Sequence, residues 1–239
     1  MSALRRHGLV IAIDGPSGAG KSTLTRLLAD RLGYVNIDTG AMYRALALAV
    51  SRSGVSPDDE EAVAAICRKV EIGFQRDDGC CRVTANGEDV SEAIRTPEIS
   101  MLTSRISAQR AVREILFGLQ RELGRDGGVI LEGRDIGTVV FPDAEVKFFL
   151  SASAEERGRR RFFELREKGC AATLDETIAA VAQRDEQDAA REISPLCKAD
   201  DAVEIDSTGV PVEDVLRRME QLFRERRTAC HRTDRRYTP

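Results

Sequence analysis

Residues 15–22 carry the most distinctive chemistry in the sequence. They read Gly-Pro-Ser-Gly-Ala-Gly-Lys-Ser and fill every fixed place of the phosphate-loop pattern G-x-x-x-x-G-K-[ST]. The glycines let backbone N–H groups curl around a polyphosphate, Lys21 can reach its outer phosphates, and the Ser22 hydroxyl can ligate Mg²⁺. We therefore expect a nucleoside triphosphate to bind at Gly15, Pro16, Ser17, Gly18, Ala19, Gly20, Lys21, Ser22 and Thr23.

The segments on both sides of this loop fit a strand and a helix. The apolar run at residues 9–13 predicts a buried strand that leads into the loop. Leu24, Leu27, Leu28 and Leu32 then recur at helical spacing until Gly33, a residue that commonly ends helices. The positive N-terminal end of this helix would face the same anion.

Five short apolar runs predict a parallel sheet covered by helices on both faces, and hence an α/β fold. The runs lie at residues 9–13, 34–37, 129–131, 146–150 and 203–205. Ligands of such sheets gather at the carboxyl ends of the strands. Those ends are occupied here by Asp14, Asp38, Glu132, Ser151 and Asp206.

Four arginines suggest a second phosphate site that faces the loop. Arg44 and Arg134 follow predicted strand ends, and Arg184 and Arg191 share one face of a predicted helix with Asp188. Each arginine alone could form a surface salt bridge. Together, in a chain that has a phosphate loop, they predict an acceptor phosphate site.

Composition excludes several classes of protein. The 239 residues carry a formal net charge of only −4, which favours neither a nucleic-acid binder nor a membrane-surface protein. Six Cys include no C-x-x-C pair and the two His lie near the chain ends, so disulfides and structural zinc are not expected. The apolar run after Arg5-Arg6 is too short for a signal peptide. We expect a cytoplasmic monomer that binds neither nucleic acid nor membrane.

The remaining segments predict an insertion, two late helices and a tail. Residues 70–90 alternate like antiparallel strands with turns at Asp77-Asp78-Gly79 and Asn86-Gly87, between helices near 58–69 and 97–124. The alternative is an ordinary hairpin on the main sheet. Capping boxes at Ser153–Glu156 and Thr173–Glu176 begin helices that end at Gly169 and near Glu192. Residues 224–239 are rich in Arg and show no periodicity, which predicts an irregular, flexible tail.

The sequence resembles the bacterial cytidylate kinases. The resemblance rests on residues 15–21, on Asp-Thr-Gly-Ala-Met-Tyr-Arg at 38–44, on Ile-Arg-Thr-Pro-Glu at 94–98 and on Glu-Gly-Arg-Asp-Ile-Gly-Thr-Val-Val-Phe-Pro at 132–142. It extends from about residue 10 to about residue 222. It implies an adenylate-kinase-like, three-layer fold in one kinase domain, residues 1–223, with a central parallel five-stranded sheet. It also implies a nucleotide-binding insertion at about 58–100 and a helical lid at about 153–172.

The resemblance further implies ATP, Mg²⁺ as MgATP, and CMP or dCMP as ligands, and a set of residues for each role. The catalytic set would be Lys21, Arg134, Arg157, Arg161 and Arg191. The CMP-binding set would be Ser17, Thr39, Arg44, Ser104, Arg113, Arg134, Asp135, Arg184, Asp188 and Arg191. Ser104, Arg113 and Asp135 would read cytosine, and Arg184 and Asp188 would hold the sugar. Some family members have Gly at the position of Ser22 and Asp at that of Glu132, so Ser22 as a Mg²⁺ ligand follows from the general motif.

Two other functions fit parts of the sequence. One is a P-loop small-molecule kinase with UMP, AMP or a metabolite as acceptor. The other is a nucleotide-dependent regulatory module that engages RNA or protein through the basic tail. A GTP-dependent switch is not expected, because the two Asn residues, Asn36 and Asn86, form no N-K-x-D motif.

Overall fold

A computed structural model describes residues 7–77, 80–167 and 169–234. The strands are β1 Val10–Asp14, β2 Val35–Asp38, β3 Ile72–Asp77, β4 Cys80–Ala85, β5 Glu88–Asp89, β6 Val129–Gly133, β7 Val146–Ser151 and β8 Val203–Asp206. The α-helices are α1 Lys21–Leu32, α2 Thr39–Ser53, α3 Glu60–Cys67, α4 Pro97–Ile106, α5 Arg110–Gly124, α6 Ala154–Glu167, α7 Leu174–Ala189 and α8 Val212–Asp234. A short 3₁₀ helix spans Ala93–Arg95 and a π-helical turn spans Ile136–Val140.

The central sheet has five strands in the order β2-β6-β1-β7-β8, which confirms the predicted parallel α/β fold. Strand β1 lies in the middle and pairs in parallel with β6 and β7. All five of its residues are buried, as expected for a strand with neighbours on both edges and helices on both faces. Leu24 and Leu28 of α1 and Leu216 and Met219 of α8 pack in the same core.

The chain divides into two compact units. Unit 1 comprises Met1–Ile37 and Gly124–Pro239, and unit 2 comprises Asp38–Leu123. Unit 1 holds the phosphate loop and all of the central sheet except Asp38, the last residue of β2. Within the described residues, none of the helices has the length and apolar composition that crossing a membrane requires.

Unit 2 contains a small sheet of its own. Strands β3, β4 and β5 form an antiparallel three-stranded sheet, so the alternative of a hairpin on the main sheet is wrong. Asn86 and Gly87 both have positive φ, 52° and 82°, which is the backbone of the predicted tight turn. The other predicted turn, at Asp77-Asp78-Gly79, includes Asp78 and Gly79, which lie outside the described residues.

The helical segment predicted at 97–124 is two helices. Helix α4 ends at Ile106 and α5 begins at Arg110. The Arg113 guanidinium donates to the carbonyl of Ser107, at 2.9 Å, and the Gln109 side chain donates to the carbonyl of Pro57, at 2.7 Å. These side-chain contacts stabilise the irregular residues 107–109.

The structure also corrects two helix ends. Helix α7, which has the full predicted capping box at Thr173, ends at Ala189 instead of near Glu192, so Arg191 lies beyond it. Helix α8 continues through Asp234, so the irregular structure expected from Arg224 onward is wrong for residues 224–234. Residues 210–234 contain one Pro, at 211, and no Gly after 209, so helix breakers are absent from α8.

Candidate active site

The phosphate loop connects β1 to α1 in unit 1 through a backbone that only glycine can adopt at critical points. At Gly15, φ is 147° and a Cβ would lie 2.0 Å from the carbonyl oxygen of Leu150. Gly20 forms the N-cap of α1 with φ of 91°, in the left-handed region. The loop is therefore built as the motif predicts, with α1 beginning at Lys21.

Lys21 is held against the loop that it follows. Its side chain is buried, and Nζ donates to the carbonyl oxygens of Gly15 and Pro16 at 2.7 and 2.6 Å. Burial and the charge of Arg134 hold the pKa of Lys21 well below its ordinary value, although Glu132 and Asp14 oppose this. A polyphosphate would supply the negative charge that favours the ammonium form.

Ser22 and Glu132 place two oxygen groups at the start of α1. The Ser22 hydroxyl donates to Oε2 of Glu132 at 2.9 Å, and Glu132 is buried near the end of β6. Hydroxyl and carboxylate oxygens suit Mg²⁺, which usually takes its other ligands from phosphates and water. Among the described residues no three His, Cys, Asp or Glu side chains are grouped as a metal centre. The donor set therefore fits a Mg²⁺ ion that arrives with the nucleotide.

Asp14, the last residue of β1, binds the segment that follows β6. It is 4% exposed, and its Oδ1 and Oδ2 accept hydrogen bonds from the backbone N–H groups of Ile136 and Gly137, at 2.9 and 2.7 Å. Burial raises the pKa of Asp14 to about 6, although these two N–H groups lower it. The buried Asp135 lies directly before this turn, at its N-cap position.

Three of the predicted acceptor-site arginines surround Asp188. The Asp188 side chain is almost fully buried on α7 and contacts Arg134 at 2.9 Å and Arg191 at 2.5 Å. Burial alone would raise the pKa of Asp188, but the charges of Arg134, Arg191 and Arg184 outweigh it and hold the pKa below its ordinary value. The structure thus brings Arg134, Arg184, Asp188 and Arg191 together, even though Arg191 lies outside the helix that was expected to carry it.

Helix α6 contacts the backbone of the phosphate loop through Arg157 and Arg160. Arg157 is buried, donates to the carbonyls of Ala152 and Ser17 at 2.8 and 3.1 Å, and pairs with Asp185 at 2.6 Å. Arg160 donates to the carbonyl of Gly18 at 3.4 Å and to that of Ser207 at 3.0 Å. Arg161 instead pairs with Glu164 on its own helix, at 3.0 Å.

The other predicted site residues lie in unit 2. Arg44 pairs at 2.9 Å with Asp38, which also caps α2 through the N–H of Ala41. Thr39 is the buried first residue of α2, and Ser104 lies on α4. Arg113 on α5 is 2% exposed, with its guanidinium carbon 5.5 and 5.4 Å from the ring centroids of Tyr43 and Phe117. Both rings lie within cation–π distance of this buried guanidinium.

Comparison with known proteins identifies the family. The family model described as cytidylate kinase matches residues 11–225. The chain belongs to the cytidylate kinase family. It is 68% identical to a cytidylate kinase of Geobacter sulfurreducens, over 96% of this chain and 98% of the relative. It is 64% identical to a cytidylate kinase of Citrifermentans bemidjiense, over 95% and 97% of the two chains. A further cytidylate kinase, of Syntrophotalea carbinolica, is 60% identical over 93% and 94%.

Among solved structures, the chain is similar to a shikimate kinase from Bacteroides thetaiotaomicron, with 14% identity and a TM-score of 0.48. That alignment covers 90% of this chain and 98% of the other.

Two features of this site were missed from the sequence. Arg160 was not predicted as a site residue, although it follows Arg157 by three positions on the same helix and so shares its face. Ser207, directly after β8, donates from its hydroxyl to the carbonyl of Ala19 at 3.1 Å. The signal for Ser207 was its place directly after Asp206, the predicted strand end.

Proposed function

We propose that this member of the cytidylate kinase family transfers the γ-phosphoryl group of ATP to CMP or dCMP, which gives ADP and CDP or dCDP. The observation that carries the proposal is that unit 1 holds both a phosphate loop and the separate cluster of Arg134, Arg184 and Arg191 around Asp188. One element suits a triphosphate donor and the other suits a phosphate acceptor. The shared name of relatives that are 60–68% identical supports CMP as the acceptor.

The reaction depends on neutralising negative charge and on aligning the two nucleotides more than on acid–base catalysis. The acceptor phosphate is already an anionic nucleophile, so no general base has to remove a proton. Catalysis then consists of aligning the two nucleotides and neutralising the negative charge on the transferring phosphoryl group. We assign that charge neutralisation to Lys21, Arg134 and Arg191, with Arg157 and Arg161 as catalytic residues contributed by α6.

Ser22 and Glu132 would hold the metal in this scheme, Ser22 directly and Glu132 through its hydrogen bond to that hydroxyl. A Mg²⁺ ion held there would supply positive charge that offsets the negative charge of the transferring phosphoryl group. The protein's part is to keep the serine oxygen and the carboxylate at the N-terminal end of α1.

The remaining roles follow from the family resemblance. Residues 153–172 would act as a lid that excludes water, which would otherwise accept the phosphoryl group. Residues 58–100 would form the nucleotide-binding insertion. Thr39, Arg44, Ser104 and Arg113 of unit 2 are proposed as CMP-binding residues on this basis. A cytoplasmic location, a monomeric state and independence from nucleic acid stay predictions from the sequence.

Base choice has a physical explanation at Asp135. A carboxylate accepts a hydrogen bond from the amino group of cytosine, whereas uracil presents a carbonyl oxygen at the same position and is repelled. The buried position of Asp135 would strengthen this discrimination, because water screens the charge less.

We expect Asp135→Ala to lower the preference for CMP over UMP by about 1–3 kcal/mol, measured as the ratio of kcat/KM values. Steady-state kinetics with both acceptors, followed by ADP formation, provide the measurement. Asp143→Ala, a change of an exposed carboxylate shortly after the same turn, is the matched control and should leave the ratio unchanged. An unaltered CMP preference in Asp135→Ala would remove this residue from base recognition.

A further inference from the structure

Asp14 lies next to both the phosphate loop and the segment that carries Arg134 and Asp135. It is the last residue of β1, and the next residue, Gly15, begins the phosphate loop. In the parallel pairing of β1 with β6, Asp14 lies opposite Gly133, directly before Arg134. The backbone therefore places its carboxylate beside the residues that follow β6.

The contacts of this carboxylate fix where the π-helical turn begins. Oδ1 accepts from the N–H of Ile136 and Oδ2 from that of Gly137, so both oxygens are used by successive residues. Hydrogen bonds to a buried charged acceptor are short and strong, and both distances, 2.9 and 2.7 Å, lie in that range. Because Arg134 and Asp135 directly precede these residues, their backbone directions depend on the same two bonds.

The far end of the turn is held as well. Lys147 on β7 donates from Nζ to the carbonyl of Pro142, at 2.6 Å, and to Asp201, at 2.9 Å. The side chain of Lys147 also covers Gly137, where a Cβ would lie 3.1 Å from its Cδ and 3.4 Å from Oδ2 of Asp14. The turn thus lies between a carboxylate from β1 and an ammonium group from β7, and little room is left for it to shift.

We propose that Asp14 is a positioning residue for acceptor recognition, which sets Arg134 and Asp135 in place through the N–H groups of Ile136 and Gly137. This inference rests on the proposed function, since it assigns Asp14 to the acceptor side of that reaction. Asp14 touches neither nucleotide in this account. Its effect passes through the turn to Arg134, which contacts Asp188, and to Asp135, which reads the base.

Asp14→Asn tests the proposal with a side chain of nearly the same shape. The amide has only one acceptor oxygen, so its NH₂ group opposes one of the two backbone N–H groups and the start of the turn shifts. We expect kcat/KM for CMP to fall by about thirtyfold or more and the CMP-over-UMP ratio to fall by about tenfold. The dissociation constant of a non-hydrolysable MgATP analogue, titrated alone, should change by less than about threefold. Lys21 keeps its hydrogen bonds to Gly15 and Pro16, and the charge of Asp14 has a smaller influence on Lys21 than that of Glu132, which remains.

A second variant and a control keep the result interpretable. If Asp14→Asn fails to fold, Gly137→Ala tests the same contact. The added methyl group crowds Oδ2 of Asp14 and the side chain of Lys147, so this variant should also lower the CMP-over-UMP ratio. Thr25→Val is the control, because the Thr25 hydroxyl is buried on α1 and has no hydrogen-bond partner among the described residues, so its loss should leave the kinetics near wild type.

The outcomes separate this proposal from the proposed function. Equal losses with CMP and UMP, together with weaker binding of the ATP analogue, would show a general structural role and overturn the proposal. A wild-type enzyme that fails to phosphorylate CMP would instead overturn the proposed function.

Discussion

Lys21→Ala is expected to lower kcat with CMP by at least about a thousandfold, because it removes the cation that the phosphate loop presents to the transferring phosphoryl group. The fold should survive the change. Within the part of the chain that the structure describes, the hydrogen bonds of Lys21 go to the carbonyls of its own loop, at Gly15 and Pro16, and burial disfavours its charged form. ADP formation under saturating MgATP and CMP gives kcat, and circular dichroism checks the fold.

The pH dependence of the unfolding free energy of Lys21→Ala offers an independent check. A lysine whose pKa is lowered in the folded state destabilises the fold at neutral pH, and this cost is relieved as pH rises toward the ordinary value of 10.5. The alanine variant should therefore gain less stability than wild type when the pH of a denaturant titration is raised. Lys198→Ala, which removes an exposed lysine paired with Glu204, is the matched control and should keep its turnover. Near-wild-type turnover in Lys21→Ala would contradict the assignment of the donor site.

Asp188→Ala should damage both stability and acceptor binding. The carboxylate is the buried partner of Arg134 and Arg191, so its removal leaves positive charges packed together without compensation. Loss of one partner from a buried ionic cluster costs about 3–5 kcal/mol of unfolding free energy. We also expect kcat/KM for CMP to fall by about a hundredfold, because the arginines that should meet the acceptor phosphate are no longer held in place.

The pH dependence of stability tests the same cluster. Because the pKa of Asp188 is lowered in the folded state, its stabilisation is complete above the ordinary value of 3.8 and is lost as pH falls through the folded-state pKa. Asp188→Asn, which keeps the shape, should therefore differ from wild type at neutral pH and approach it in strong acid. Glu186→Ala, an exposed carboxylate on the same helix, should show neither effect. Equal stability of Asp188→Asn and wild type at pH 7 would contradict the account of the cluster.

The central sheet and the phosphate loop could be predicted from the sequence because each is marked by a pattern of neighbouring residues. Each strand of the central sheet overlaps one of the five predicted apolar runs, and the phosphate loop is recognised from residue types at fixed spacing. The resemblance added Asp135 and the unit 2 residues Ser104 and Arg113, which no local pattern singles out. Their roles as ligand-binding residues stay predictions.

The errors arose where distant side chains decide the local structure. The gap between α4 and α5 depends on Gln109 reaching Pro57, and nothing in the helical pattern of 97–124 marks it. Ala189 and Ala190 favour a helix, and no helix-breaking residue precedes Ser194-Pro195, yet α7 ends at Ala189 and Arg191 contacts Asp188. Asp14 was placed correctly at a strand end, but its partners Ile136 and Gly137 lie more than a hundred residues away.

A panel of acceptors with MgATP tests the central claim most directly. CMP, dCMP, UMP, AMP, GMP and a sample without acceptor are compared at equal concentration by coupled detection of ADP. The account predicts the highest kcat/KM for CMP and dCMP, at least about tenfold above the other nucleotides, and negligible ATP hydrolysis without acceptor. Faster turnover with another acceptor, or weak turnover with all of them, would contradict it and favour a different small-molecule kinase or a regulatory module.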